Sequence, residues 1–215
     1  MFIEKFSFNP DGAQTQLKNA GFLPTGDKNS VRKKGDTLLA FELLYPEGEP
    51  YKSIAVEIGK DLAALGVRLT ATELPYDQLF DRLDTRSYQA ALVSLNLTNA
   101  FDPDPYPFWD QAQMTGGQNY TQWDNRMASE FLEQARTSVD LGERIRLYRN
   151  FQVLFTQELP ALPLFYPVSS YAVDRQIQGV SVGPLFNASD RFATIDQWFL
   201  VAKKPAPGGV LTPTP

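Results

Sequence analysis

The sequence predicts an α/β fold, and three observations carry that prediction. Residues 38–45, 67–72 and 88–95 read as strands, a helical pattern separates each from the next, and the links between them are short. Strand, helix, strand in that order is a β-α-β unit, with parallel strands in one sheet and a right-handed crossover. A second repeat of the alternation extends the same sheet, with helices on both of its faces.

The elements follow in order. Asn9-Pro10-Asp11 opens a short helix: Asn9 can cap it, Pro10 suits its first turn, Ala13 and Leu17 share a face, and Gly21 fits its stop. Residues 24–36 carry two glycines, a proline and several charges and read as a turn or loose hairpin. Leu38 to Tyr45 is a buried strand. Pro50 starts the clearest helix, with Ile54, Ile58, Leu62 and Leu65 at helical spacing and Gly66 at its end. Val67, Leu69 and Ala71 alternate with Arg68, Thr70 and Thr72 as a half-buried strand does. Pro75 opens the next helix through Leu79 and Leu83, and Tyr88 to Leu95 is the third strand. Asp124 is the expected cap of a helix carrying Met127, Phe131 and Ala135. Asp140 and Glu143 have capping-box spacing for a last helix, which presents Leu147, Phe151, Leu154 and Phe155. Extended segments are expected at 161–167, 170–174 and 178–183, and residues 203–215, rich in Pro, Gly and Thr, are expected to form an unstructured tail.

Composition narrows the chemistry. The 215 residues contain no cysteine and no histidine, which removes disulfides, zinc clusters, Cys nucleophiles and Ser-His-Asp triads. Any metal would have to be held by oxygen alone. The net charge of −5 and a pI near 4.8 argue against nucleic acid and against an anionic membrane surface as main partners. No run approaches the roughly 20 apolar residues of a membrane span.

Residues 96–122 form a long connection with aromatics, prolines and two glycines. Connections of that length inside a domain are usually functional, and ligands of open α/β sheets bind outside the carboxyl ends of the strands. Asn96, Asn99, Asp102, Trp109, Asn119 and Tyr120 are therefore candidates to line a binding cleft. The Asn and Asp side chains could equally bond their own turns, and Trp109 could equally pack in the core. Asp102, Asp104 and Asp110 do not make a calcium loop, because Pro107 and Gln113 occupy the places of its turn glycine and closing Glu. Pro103, Pro105 and Pro107 point to a stiff extended segment instead.

Seven short motifs stand in a fixed order. They are Asp11 through Leu17 to Ala20-Gly21-Phe22; Gly35 through Leu38 to Tyr45-Pro46; Ala55 through Asp61-Leu62 to Leu65-Gly66-Val67; Asp102-Pro103-Asp104-Pro105; Gly116-Gly117-Gln118-Asn119-Tyr120; Asp140 through Glu143-Arg144 and Leu147-Tyr148 to Gln152; and Glu158, Pro160 and Pro163-Leu164-Phe165. In this order they resemble the peptide/nickel/oligosaccharide-binding receptors of ABC importers, the dipeptide- or oligopeptide-binding type of solute-binding protein family 5. The match is to the carboxyl-terminal lobe.

The resemblance implies a type II periplasmic-binding-protein-like lobe over residues 1–202, with a mixed, mainly parallel twisted sheet. It implies a peptide or oligosaccharide as solute, a missing amino-terminal lobe, ABC permease subunits as partners, no cofactor, and a periplasmic or cell-surface location. Met1-Phe2-Ile3-Glu4-Lys5 has neither a basic segment nor an apolar core, so an export signal, often of lipoprotein type in this family, is expected upstream. Where peptide-binding members carry an Asp for the ligand's ammonium group, the resemblance places Asn99 in this sequence, which disfavours a free peptide amino terminus and favours a sugar or another neutral ligand. Two other readings stand beside the receptor. One is a truncated stand-alone interaction domain. The other is a carboxylate hydrolase, which would rest only on Glu73, Asp77, Asp81 and Asp84.

Overall fold

The computed structural model describes residues 6–26, 30–95, 104–168, 170–183 and 188–201. The chain divides into two compact units, Met1–Leu162 and Pro163–Pro215. The tail expected from residue 203 lies outside the described residues.

The first unit opens with helix α1 (Pro10–Asn19), capped as the sequence predicts by the Asn9 side chain, which accepts from Gly12 N–H at 2.8 Å. A tight hairpin follows, β1 (Lys33–Lys34) against β2 (Thr37–Leu38), antiparallel. Strand β3 (Ala40–Pro46) then leads through α2 (Tyr51–Ala64) to β4 (Arg68–Leu74), and α3 (Tyr76–Asp84) leads to β5 (Ala90–Ala91). These three strands form one sheet of order β4-β3-β5, parallel throughout. The β-α-β prediction therefore holds in order, direction and position.

The pleat of β3 explains how helices cover both faces. Leu43 and Tyr45 point to one side and pack with Ala55 of α2, whereas Leu44 points to the other and packs with Leu79 and Leu83 of α3. Leu44 is completely buried.

The third strand is shorter than the expected 88–95. Its ladder to β3 ends where Leu92 N–H donates to the Leu44 carbonyl at 2.8 Å. The next donor on that side of β3 would be the amide of Pro46, which has no N–H, so pairing stops there.

The connection after β5 is not extended in its described part. Residues Tyr106–Trp109 form a single-turn helix, α4, with proline in its first turn, followed by a 3-10 turn at Gln111–Gln113. Pro105 and Pro107 thus start a helix, consistent with proline's fixed φ, rather than stiffening a strand. Asp104, just ahead of α4, accepts from Tyr106 N–H at 3.1 Å, and Asp110 caps the 3-10 turn by accepting from Ala112 N–H at 2.8 Å.

Helices α5 (Arg126–Thr137) and α6 (Leu141–Glu158) complete the first unit as a packed pair. Their core joins Trp123, Ala128, Leu132 and Phe151. Asn125, not Asp124, caps α5, accepting from Ala128 N–H at 2.9 Å; the Asp124 carboxylate is occupied by Gln111 Nε2 instead. Asp140 caps α6 as expected, accepting from Glu143 N–H at 2.8 Å. The reciprocal half of that capping box is replaced, because the Glu143 carboxylate accepts from Ser138 Oγ at 2.9 Å.

In the second unit, β6 (Ile177–Gln178) pairs antiparallel with β7 (Phe199–Leu200). Beside it Tyr171, Phe192 and Trp198 group their rings, with centroids 5.9 to 6.4 Å apart. Of the extended segments expected between 161 and 183, only the start of the last one pairs as a strand among the described residues.

Candidate functional site

A cavity of about 180 Å³ opens at the carboxyl edge of the parallel sheet. Pro46 ends β3, Tyr76 follows β4, and Val93, Ser94 and Leu95 follow β5, so the ends of all three strands supply its floor. Tyr51 enters from the first turn of α2, and Leu79, Phe80 and Leu83 from α3. Phe108, Gln118 and Tyr120 close it from the connection after β5. This is the place where open parallel sheets hold ligands, because strand ends and following loops leave a crevice there.

The walls are largely aromatic and aliphatic, and among the described residues no lining side chain carries a formal charge. Tyr76 and Phe80 stack at 4.7 Å between centroids, tilted by 47°. The polar side-chain features are the hydroxyls of Tyr51, Tyr76, Ser94 and Tyr120 and the amide of Gln118. Tyr51 Oη and Ser94 Oγ share a hydrogen bond of 2.9 Å at the rim, and Gln118 is exposed. Burial holds the Tyr120 phenol above its ordinary value, with the Asp84 carboxylate adding to that and Arg86 opposing it.

The connection that forms one wall is held by two residues. Arg86 sits in left-handed backbone with φ 55° and donates to the carbonyls of Leu83 at 2.6 Å, Met114 at 2.9 Å and Gly117 at 2.7 Å. Asn119 is fully buried: its Nδ2 donates to the carbonyls of Asp110 and Trp123, and its Oδ1 accepts from Trp123 N–H and Thr121 Oγ1. The double glycine before it has two distinct reasons. Gly116 takes φ 71°, and at Gly117 a Cβ would stand 2.6 Å from Gln113 Cα.

The six residues singled out from the sequence fall in different places. Asn96, Asn99 and Asp102 lie outside the described residues. Tyr120 lines the cavity. Asn119 spends its amide on the loop itself. Trp109 packs edge-on against Phe155 at 4.8 Å, beside the core of the α5–α6 pair. The cavity also draws on Tyr76 and Phe80, which sequence reasoning passed over. The available signal was the width of the apolar stripe on α3: Leu79 and Leu83 suffice to cover the sheet, and Tyr76 and Phe80 widen it to one side.

Comparison with known proteins adds a second line of argument. No family model matches the chain. Di/tripeptide-binding protein 4 of Pseudomonas aeruginosa is 31% identical over 203 residues, covering 89% of this chain and 34% of that protein. This chain is a relative of the dipeptide- and oligopeptide-binding proteins. Di/tripeptide-binding protein 2 of the same organism, also a peptide-binding relative, is 27% identical over 185 residues, 85% of this chain and 33% of the relative. The chain therefore spans about a third of the length of the curated peptide-binding proteins it matches. Among solved structures, the oligopeptide-binding protein AppA from Bacillus subtilis, in complex with a nonapeptide, superposes with a TM-score of 0.74 at 20% identity, covering 94% of this chain and 39% of that one. This chain has the fold of a type II periplasmic-binding-protein lobe.

Proposed function

We propose that residues 1–202 form the carboxyl-terminal lobe of an extracytoplasmic solute-binding receptor, which closes with a second lobe on a peptide-like solute and presents it to an ABC permease. The observation that carries this reading is the apolar cavity at the carboxyl edge of the β4-β3-β5 sheet, in a chain whose curated relatives are di/tripeptide-binding proteins. Among the described residues the cavity lining carries no carboxylate, amine or guanidinium, which suits capture of an uncharged group. The receptor would work outside the cytoplasmic membrane, in the periplasm or at the cell surface, and needs no cofactor.

Peptide is favoured over oligosaccharide because the described lining is mostly ring and aliphatic surface, and its five hydroxyl- or amide-bearing side chains are too few for a sugar that needs a polar group for nearly every hydroxyl. The test is a titration of the isotope-labelled chain, followed by NMR, with di- and tripeptides in one series and maltose- and mannose-type oligosaccharides in the other. Peptides should shift the amides of residues 76–80, 93–95 and 118–120. Shifts there from the oligosaccharides and none from the peptides would reverse the assignment.

A further inference from the structure

We infer that the cavity is a subsite for one uncharged apolar or aromatic side chain of the bound peptide, and that it rejects charged side chains at that position. The inference rests on the peptide reading above and sharpens it.

Size sets the first limit. Sites that enclose a whole drug-sized ligand run to roughly 300–1,000 Å³, and this cavity holds about 180 Å³. It is too small for a solute of several residues and large enough for one side chain.

Chemistry sets the second. Tyr51, Tyr76, Phe80, Val93, Leu95 and Phe108 offer rings and aliphatic groups at different angles, so a flat or branched apolar group finds contact on several sides. A carboxylate or ammonium group entering here would shed water and meet no opposite charge among the described lining side chains. The neighbouring charges among the described residues do not alter this. Arg86 directs its guanidinium nitrogens to the carbonyls of Leu83, Met114 and Gly117, and Asp84 is an exposed residue outside the lining. The paired Tyr51 and Ser94 hydroxyls at the rim can meet the peptide's backbone while its side chain goes inward.

The experiment uses the 215-residue chain and five tripeptides of the form Ala-X-Ala, with X as Phe, Leu, Ala, Glu or Lys, read by NMR titration. The Phe and Leu peptides should bind about tenfold or more tightly than the Glu and Lys peptides, the scale expected for burying one apolar side chain. Two variants at exposed rim positions, Tyr76→Ala and Ser94→Phe, remove a wall and fill the space respectively. Both should collapse that preference to within about threefold while circular dichroism shows an intact fold. Equal affinity for all five peptides, or a preference that survives both variants, overturns the subsite and leaves peptide binding standing. If none of the peptides binds and an oligosaccharide does, the proposed function falls and the subsite falls with it.

Discussion

The guanidinium of Arg86 lies over the ring of Tyr120, 5.0 Å from its centroid, while its nitrogens donate to the carbonyls of Leu83, Met114 and Gly117. One side chain thus fastens the end of α3, the loop and a wall of the cavity to each other. Replacing it by methionine should cost about 2–3 kcal/mol, because the carbonyls lose charge-assisted donors and the left-handed backbone is kept. Arg86→Gly should cost less by about 1 kcal/mol, since glycine accepts φ 55° without penalty. Urea unfolding of both variants checks the order, and a methionine variant more stable than the glycine one would refute it.

Asn119 offers a sharper case, because its amide both donates and accepts. Asn119→Ala should lose about 2–4 kcal/mol, in the range seen when a buried hydrogen-bond network is broken. Asn119→Asp keeps the shape but turns the two donated bonds into contacts between a carboxylate and the carbonyls of Asp110 and Trp123. It should therefore be at least as destabilising as alanine at neutral pH. Thermal melts of the pair decide this, and a near-neutral Asp variant would show that the amide donors contribute nothing.

Much of this architecture was legible in the sequence, and the misses have local causes. Asn9 and Asp140 announced their helices because a short polar side chain preceded each helical stretch. Asp124 and Asn125 are both good caps side by side, and what separates them is tertiary: Gln111, thirteen residues earlier, engages Asp124. The third strand looked longer because Tyr88 to Leu95 is mostly apolar, while the limit on its pairing sits on a different strand, at Pro46. The site was half legible. The connection after β5 was recognisable as unusual, but a buried Asn119 and a cavity-lining Tyr120 are adjacent residues with no sequence mark to tell them apart. The contribution of α3 was hidden because Tyr76 and Phe80 look like ordinary members of its apolar stripe.

The cap assignment itself is measurable. Asn125 caps α5 and also donates from Nδ2 to Glu158 Oε1 at 2.7 Å, so Asn125→Ala should cost about 1–2 kcal/mol. Asp124→Ala should stay within about 0.5 kcal/mol, as exposed substitutions usually do. Chemical denaturation of the two single variants distinguishes them, and equal losses would return part of the cap to Asp124.

Tyr88 gives a pH prediction. Burial raises its phenol above the usual 10.0, with Tyr120 adding to the effect and Arg86 opposing it. An acid with a higher pKa in the folded state holds its proton longer there than in the unfolded chain. Stability is therefore fully present below pH 10 and is lost as pH rises through the folded value. Tyr88 also donates to the Tyr120 carbonyl, so Tyr88→Phe should cost about 1 kcal/mol at pH 7. The same variant should flatten the alkaline decline. Denaturation at pH 7, 9 and 10.5 shows whether the wild-type and variant curves converge, and parallel curves would mean Tyr88 takes no part in the alkaline loss.

The last prediction concerns how well this chain binds by itself. The cavity and its rim form one wall of a site that, in the proposed receptor, closes against a second lobe. A well-formed site buries about 70–90% of a small ligand, and a single wall buries far less. The loss of translational and rotational freedom on capture is the same for half a site as for a whole one, so halving the contacts removes far more than half of the net affinity. Peptides should therefore bind this chain in the millimolar range, or about −4 kcal/mol, even where the two-lobed receptor binds them far more tightly. Adding the second lobe as a separate chain should raise the affinity and make it depend on that lobe's concentration, which calorimetry can follow. Sub-micromolar peptide binding by the 215 residues alone would contradict the half-site and make this chain a complete receptor.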